Sequence, residues 1–353
     1  MSSAEAVVKI SVIITAYNRK DYLLNAAKSA ADQTLSKDLY EVVVVKNFED
    51  KQIDGYIRRL GFKNVVYDTP RYGEQVAVGI EESSGDVLAF LDDDDEFERE
   101  KLSEVYKAFS KYREISYFHD TRKFIYYNNV VDANVSNPLI KSIVEFHERI
   151  VPHYDVVLSP SYKYASYFLA RYPGILATQS LMSIKRACIE SRLNLLKRIH
   201  ILGEDFFSAF AAECGPLYHT GKRLTKYRIH DKNVSIDLTQ RDQIRMSLYY
   251  MKAVEDLKLI LANISPTNMT RRAIEMRLLR FKYSLYYAPD NIKPLLGITG
   301  FALEAFKDTL KLCKLATPFL GNCILSLLGV LYISLPVKPL SRQTLKKALR
   351  HGT

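Results

Sequence analysis

Val87-Leu88-Ala89-Phe90-Leu91, followed at once by Asp92-Asp93-Asp94-Asp95, decides how this chain is read. Five apolar residues without alternation fit a strand buried on both faces. The aspartates then mark where that strand leaves the core. An acidic run on a surface is commonly just solvated. Four carboxylates at the carboxyl end of a buried strand are different, because they repel one another in a partly desolvated rim. A divalent cation relieves that repulsion and takes phosphate oxygens to complete its shell. Alternate residues of an extended segment point the same way, so Asp92 and Asp94 are expected to face one site. Asp94 is expected to reach the metal directly, and Asp92 to hold a ribose or a metal-bound water.

Working outward, largely apolar runs recur at 10–14 and 42–45, with a shorter one at Val65-Val66. Helical spacing lies between them. Leu23, Leu24, Ala27 and Ala31 share one face; Ile53, Tyr56, Ile57 and Leu60 share another; residues 74–82 offer a third. Strand alternating with helix predicts an α/β fold, a parallel sheet with helices on both sides. Ligands of such sheets sit beyond the carboxyl ends of the strands. That rim gathers residues 15–19, 46–50 and 92–96.

Further along, residues 138–150 read as an amphipathic helix with Leu139, Ile143, Phe146 and Ile150 on one side. Phe206, Phe207 and Phe210 continue a helix opened by Gly203-Glu204-Asp205, where acids also suit the first turn. Ile244, Leu248, Met251, Val254, Leu257 and Leu261 mark another helix. Beginning near Thr270, a further helix carries Ile274, Leu278, Phe281 and Leu285 on one face and five cationic residues elsewhere, the pattern of an interfacial helix or of one packed on its own domain.

Residues 315–337 contain no charged residue and would span about 34 Å as one helix, enough for a bilayer core. Lysines and arginines flank them on both sides, which leaves the topology open. The expected organisation is a catalytic domain at 1–235, amphipathic helices at 236–292, a membrane domain of one to three passes at 293–337 and a basic tail at 338–353.

The formal charge of +10 favours polyanionic partners. A nucleic-acid-binding protein would share that charge but would not set four aspartates at its cleft, so no nucleic-acid partner is expected. The four cysteines are widely spaced, which indicates neither a zinc site nor a disulfide framework. With no secretory signal visible at the N-terminus, the expected location is the membrane, catalytic domain facing the cytoplasm.

These pieces resemble a known family. Ile13-Ile14-Thr15-Ala16-Tyr17-Asn18-Arg19, with Tyr22-Leu23 and Asp32-Gln33-Thr34 behind it, is similar to the opening strand and helix of family 2 glycosyltransferases of the GT-A fold. The segment from Gly85 through Asp95 resembles that family's metal-binding Asp-x-Asp stretch. Gly203-Glu204-Asp205 resembles its catalytic acidic pair, and Tyr227-Arg228-Ile229-His230 opens a likeness to its closing loop.

The resemblance implies a membrane-bound, inverting transferase that moves one hexose from a nucleotide-diphosphate sugar. Asp205 would be the base and Glu204 would orient the acceptor. Thr15, Ala16, Tyr17, Asn47, Asp92, Asp93, Arg228 and His230 would bind the donor. Asp94, Asp92 and His230 would hold a divalent metal, manganese ahead of magnesium. Likeness to archaeal membrane mannosyltransferases implies GDP-mannose as donor and a dolichyl or polyprenyl phosphate, or a lipid-linked glycan, as acceptor. A UDP-sugar transferase and a catalytically inactive scaffold are the alternatives.

Two positions depart from the family pattern: Lys46-Asn47 stands where many relatives carry paired aspartates, and Val76-Ala77 where many carry Arg-Asn. Uridine specificity is therefore not implied. Asn47 can still offer an amide to a base edge, and Arg71 is a candidate phosphate cation. The chain has no tryptophan, so it lacks the Gln-x-x-Arg-Trp segment of processive relatives. Transfer of single sugars is expected.

Overall fold

The structure, a computed structural model, describes residues 8–126, 128–233 and 243–286. The uncharged segment at 315–337 and the basic tail lie outside the described residues. Among the described residues, no helix is long and apolar enough to cross a membrane.

The first hundred residues fold as the two periods predict. β1 (Ile10–Ala16), α1 (Leu23–Ala31), β2 (Tyr40–Lys46), α2 (Lys51–Arg59), β3 (Lys63–Val66), α3 (Tyr72–Glu81) and β4 (Val87–Asp92) alternate along the chain. All pairings among these strands are parallel, in the order β3-β2-β1-β4. The side-chain period of two divides each strand between two cores. Ile13, Val43, Val45, Leu88 and Phe90 face one; Val12, Ile14, Val42, Val44 and Leu91 face the other. Both faces are covered, which is why these strands read as unbroken apolar runs.

Beyond β4 the sheet changes character. β5 (Glu96–Phe97), α4 (Lys101–Lys111), β6 (Tyr117–Tyr126), β7 (Asn129–Val131), α5 (Pro138–Arg149), β8 (Val156–Leu158), α6 (Ala165–Arg171), β9 (Met182–Lys185), α7 (Leu193–Leu196), α8 (Gly203–Cys214) and β10 (Leu217–Ile229) follow. β9 inserts antiparallel between β4 and β6, and β10 runs parallel to β6. The predicted parallel sheet is thus the first half of a mixed ten-stranded one. β6 also breaks the apolar rule, because Asp120 is fully buried. It pairs with Lys101 and accepts from Leu224 N at 3.1 Å and Thr225 Oγ1 at 2.9 Å. A charge so placed is tolerable only when paired and hydrogen-bonded. In α5 the buried positions are Ile140 and Val144, one residue off the predicted Leu139 face.

Two helices complete the described chain, α9 (Gln243–Asn263) and α10 (Arg271–Tyr286). Leu257, Ile260 and Ile274 join the same core as Phe206 and Phe207 of α8. At the start of α9, Ile244 and Leu248 stand exposed. Asp256 of α9 is buried and accepts three backbone N–H groups, from His200 at 2.8 Å, Ile201 at 2.9 Å and Leu202 at 3.0 Å. It thereby holds the chain that leads into Gly203-Glu204-Asp205. Replacing Asp256 with alanine orphans those donors, at about 1–3 kcal/mol for each that stays buried. We expect urea unfolding to show a loss of about 3 kcal/mol or more. A loss under about 1 kcal/mol would remove Asp256 from this role.

Candidate active site

Thr15 and Asp92 are register partners at the ends of β1 and β4, so the two strands deliver both residues to one rim. Ala16 follows, buried, and the Tyr17 side chain is 46% exposed at the strand end. Asn18 adopts a left-handed φ of 52°. Its backbone N–H donates to Asn47 Oδ1 at 2.8 Å, and Asn47 Nδ2 donates to Asn18 Oδ1 at 2.9 Å. Asparagine is among the residues that tolerate this conformation, and the reciprocal amide pair fixes it. Asn47 therefore spends its amide on the loop rather than presenting it whole to a base edge. Lys46 is fully buried and paired with Asp54 at 2.8 Å, which satisfies its charge.

The acidic turn is buried rather than solvated: Asp93, Asp94 and Asp95 are at most 7% exposed. One carboxylate oxygen each from Asp92, Asp94 and Asp95 lies within 4.8 Å of the others. Asp92 and Asp94 converge as the strand period predicts, and Asp95, read in the sequence only as part of the acidic run, converges with them. Burial and then repulsion from Asp95 and Asp94 push the Asp92 carboxyl well above the usual carboxylate range. Burial followed by Asp94 raises Asp95 to about 8. For Asp94 burial acts upward too, but the hydrogen bond from His230 and the charge of Arg19 outweigh it and hold the group low. Asp95 Oδ2 is buried without a hydrogen-bond partner. Convergent carboxylates short of positive charge, one oxygen unsatisfied, are a donor set that fits a hard divalent cation.

His230 sits against this set without joining it. Lys232 N–H donates to His230 Nδ1 at 3.1 Å, so the neutral ring carries its proton on Nε2, which lies 2.9 Å from Asp94 Oδ2. In this arrangement His230 donates to Asp94, and ligation of a metal through Nε2 would require breaking that bond. Arg228 is 1% exposed and lies behind the turn. Its backbone N–H donates to Asp95 Oδ1 at 3.0 Å, its Nε donates to Asp94 O at 2.9 Å, and its guanidinium pairs with Glu96. A donor phosphate would have to compete with those partners. Sequence reading assigned no role to Arg19, yet it pairs with Asp93 and reaches Asp94 Oδ2 at 2.9 Å. Its place in the rim segment 15–19 was the available signal. Asp93 is thus occupied by Arg19. Arg71 lies 3.7 Å from Glu74, with its side chain about half exposed.

The acidic pair approaches the same rim from the other side. Asp92 N donates to Ser180 Oγ at 3.0 Å, which ties the Gln179 segment to β4. A Cβ added at Gly203 would lie 2.4 Å from Tyr72 Cε1 and 2.6 Å from Gln179 Oε1, so only glycine admits both neighbours. The Tyr72 hydroxyl and Gln179 Oε1 are buried with no hydrogen-bond partner. Next to them come Glu204, partly exposed, and Asp205, 1% exposed. Burial raises Asp205 most; Arg277 opposes this, Glu204 and Asp256 add to it, and the carboxyl comes to about 7. Arg277 of α10 lies 3.0 Å from Glu204 Oε1 and 2.7 Å from Asp205 Oδ2. At least this cation of α10 is therefore turned toward the acids. The arrangement can hold a divalent cation at the carboxylate set and accept a proton at Asp205.

Residues 11–162 match the family described as Glycosyl transferase family 2. Protein CgeD of Bacillus subtilis (strain 168) is 27% identical over 132 residues, covering 34% of this chain and 30% of that protein. The crystal structure of S. aureus TarS aligns with a TM-score of 0.53 at 15% identity, over 89% of this chain and 50% of that one. S. aureus TarS 1–349 in complex with UDP-GlcNAc aligns with a TM-score of 0.56 at 13% identity, over 98% of this chain and 92% of that one. The chain accordingly spans half of TarS and less than a third of CgeD. Likeness at such identities speaks for the fold. Residues 11–162, which hold β1 to β4 and the whole acidic turn, are the part of the chain that matches this family, and the fold is α/β of the GT-A kind.

Proposed function

We propose that the chain is an inverting glycosyltransferase that moves one hexose from a nucleotide-diphosphate sugar, using a divalent metal held by Asp92, Asp94 and Asp95. The convergence of those carboxylates at the end of β4, beside a buried Asp205, carries this reading. A cation bound there would neutralise charge developing on the leaving diphosphate. Asp205 takes the proton from the acceptor hydroxyl as its oxygen bonds to the anomeric carbon, and the carbon–phosphate oxygen bond breaks with its electron pair going to the diphosphate. Glu204 orients the acceptor. His230 and Arg19 hold Asp94 ionised and aimed.

GDP-mannose is the favoured donor, on the motif likeness to archaeal mannosyltransferases, and manganese is the favoured metal. TarS 1–349 was solved with UDP-GlcNAc, so UDP-sugars form the second arm of the test. The uncharged stretch at 315–337 supports a membrane location, the catalytic domain on the cytoplasmic side, and a polyprenyl-phosphate or lipid-linked acceptor. Calorimetry with UDP- and GDP-sugars, in manganese, magnesium or chelator, is expected to give binding to at least one donor at about 100 µM or tighter. Chelator should abolish it. Silence of every donor in both metals would sink the proposal.

A further inference from the structure

Arg277 stands 72 residues beyond Asp205 in sequence, on α10, and still reaches both candidate catalytic acids. Its Nη2 donates to Glu204 Oε1 at 3.0 Å while Nη1 lies 2.7 Å from Asp205 Oδ2. The two contacts differ in kind. The first is a hydrogen bond. The second is ionic but off hydrogen-bond geometry, since Asp205 Oδ2 has no hydrogen-bond partner. A fork of this shape anchors one acid and supports the charge of the other through a direct ion pair.

Other groups around Asp205 do not replace it. Glu204 on α8 and Asp256 on α9 are like charges that oppose ionisation. Tyr249 of α9 and Tyr117 of β6 also face the acids, both held protonated first by burial. Arg280, one turn further along α10, interacts with Arg277 as a like charge. The Phe281 ring stands 5.4 Å from the Arg277 guanidinium, and Tyr249 packs on Phe281 with ring centroids 5.9 Å apart. Arg277 is the cation that opposes the proton on Asp205, and aromatic rings from two helices back it.

We infer that Arg277 is a positioning residue of the transfer reaction, a role that rests on the transferase reading above: it sets the proton affinity of Asp205 and the aim of Glu204. The α9–α10 pair is then part of the catalytic unit. Removing the cation leaves burial and two like charges acting on Asp205, so the base binds its proton more tightly. Turnover is lost at the acid side of the profile and recovers as the pH rises.

The test uses the full chain with manganese, the donor found by calorimetry and water as acceptor, reading nucleotide release from about pH 5.5 to about pH 9. Arg277→Met is expected to move the acid limb of kcat upward by about one pH unit or more, with donor affinity unchanged. Arg277→Lys, which keeps the charge, should return the limb to within about half a unit of wild type. Should the methionine variant not fold, Arg277→Gln keeps a donor toward Glu204 and drops the charge, and the same shift is expected of it. A limb unmoved in the neutral variants, or moved equally by lysine and methionine, overturns the role of Arg277 and leaves the transferase reading standing. A wild-type chain that binds and turns over no donor overturns the transferase reading, and this inference with it.

Discussion

Asp94→Ala is expected to lower donor turnover by about 10²- to 10³-fold, equivalent to about 3–4 kcal/mol of lost transition-state stabilisation. Asp94 is the carboxylate that the surrounding groups keep ionised: His230 donates to Oδ2, and Arg19 reaches the same oxygen. Asp92 and Asp95 are pushed toward their protonated forms by burial and by each other. Of the three converging acids, Asp94 therefore carries charge most reliably before a cation arrives. Its loss should also abolish the rise in melting temperature that manganese plus donor gives the wild type. Arg19 keeps Asp93 as a partner, so the fold should persist. Turnover in the alanine variant within about threefold of wild type would show that the acidic turn does not serve the chemistry.

Asp205→Asn is expected to remove transfer to a hydroxyl acceptor by about 10²- to 10⁴-fold, the usual contribution of a positioned general base. Donor affinity should be unchanged, because Asp205 is not one of the converging carboxylates at β4. The pH profile gives the same residue a second signature. Burial lifts the Asp205 carboxyl from its ordinary value to about 7, and only the ionised form can take a proton. Wild-type turnover should then fall about tenfold per unit as the pH drops below about 7. Any residual rate of the asparagine variant should lack that limb. Full activity in the variant would point to a phosphate acceptor, which needs little help from a base.

What could be read from the sequence was what burial writes locally. β1, β2 and β4 are covered on both faces and appear as unbroken apolar runs; the acids at the tip of β4 appear as a break in them. The helices that pack on this half show their spacing equally well. The second half of the sheet hides itself because its strands obey other constraints. β6 buries His119, Asp120, Thr121 and Arg122 in succession, so no period survives. β9 is four residues long, and only tertiary pairing tells it to run antiparallel. At the site, Asp92, Asp94 and Asp205 were accessible through motif and spacing. Asp95 was visible as part of the acidic run but without a role of its own, because strand alternation turns it away and only the turn brings it back. Arg19 and Arg277 were missed as partners because an ion pair across 74 or 72 positions leaves no trace in a local window. The likeness to a closing loop found His230, but the Lys232 N–H that fixes its tautomer is visible only in three dimensions.

Asp256 and Arg277 lie past residue 235, where composition suggested a seam. A chain severed at that seam would strip Leu257, Ile260 and Ile274 from the face of α8 and leave the backbone N–H groups of residues 200–202 without their acceptor. Such a fragment would keep every motif that suggested its function, yet its acidic pair would be mounted on an unsupported wall. Among the described residues, the wall behind the acidic pair therefore extends at least into α10.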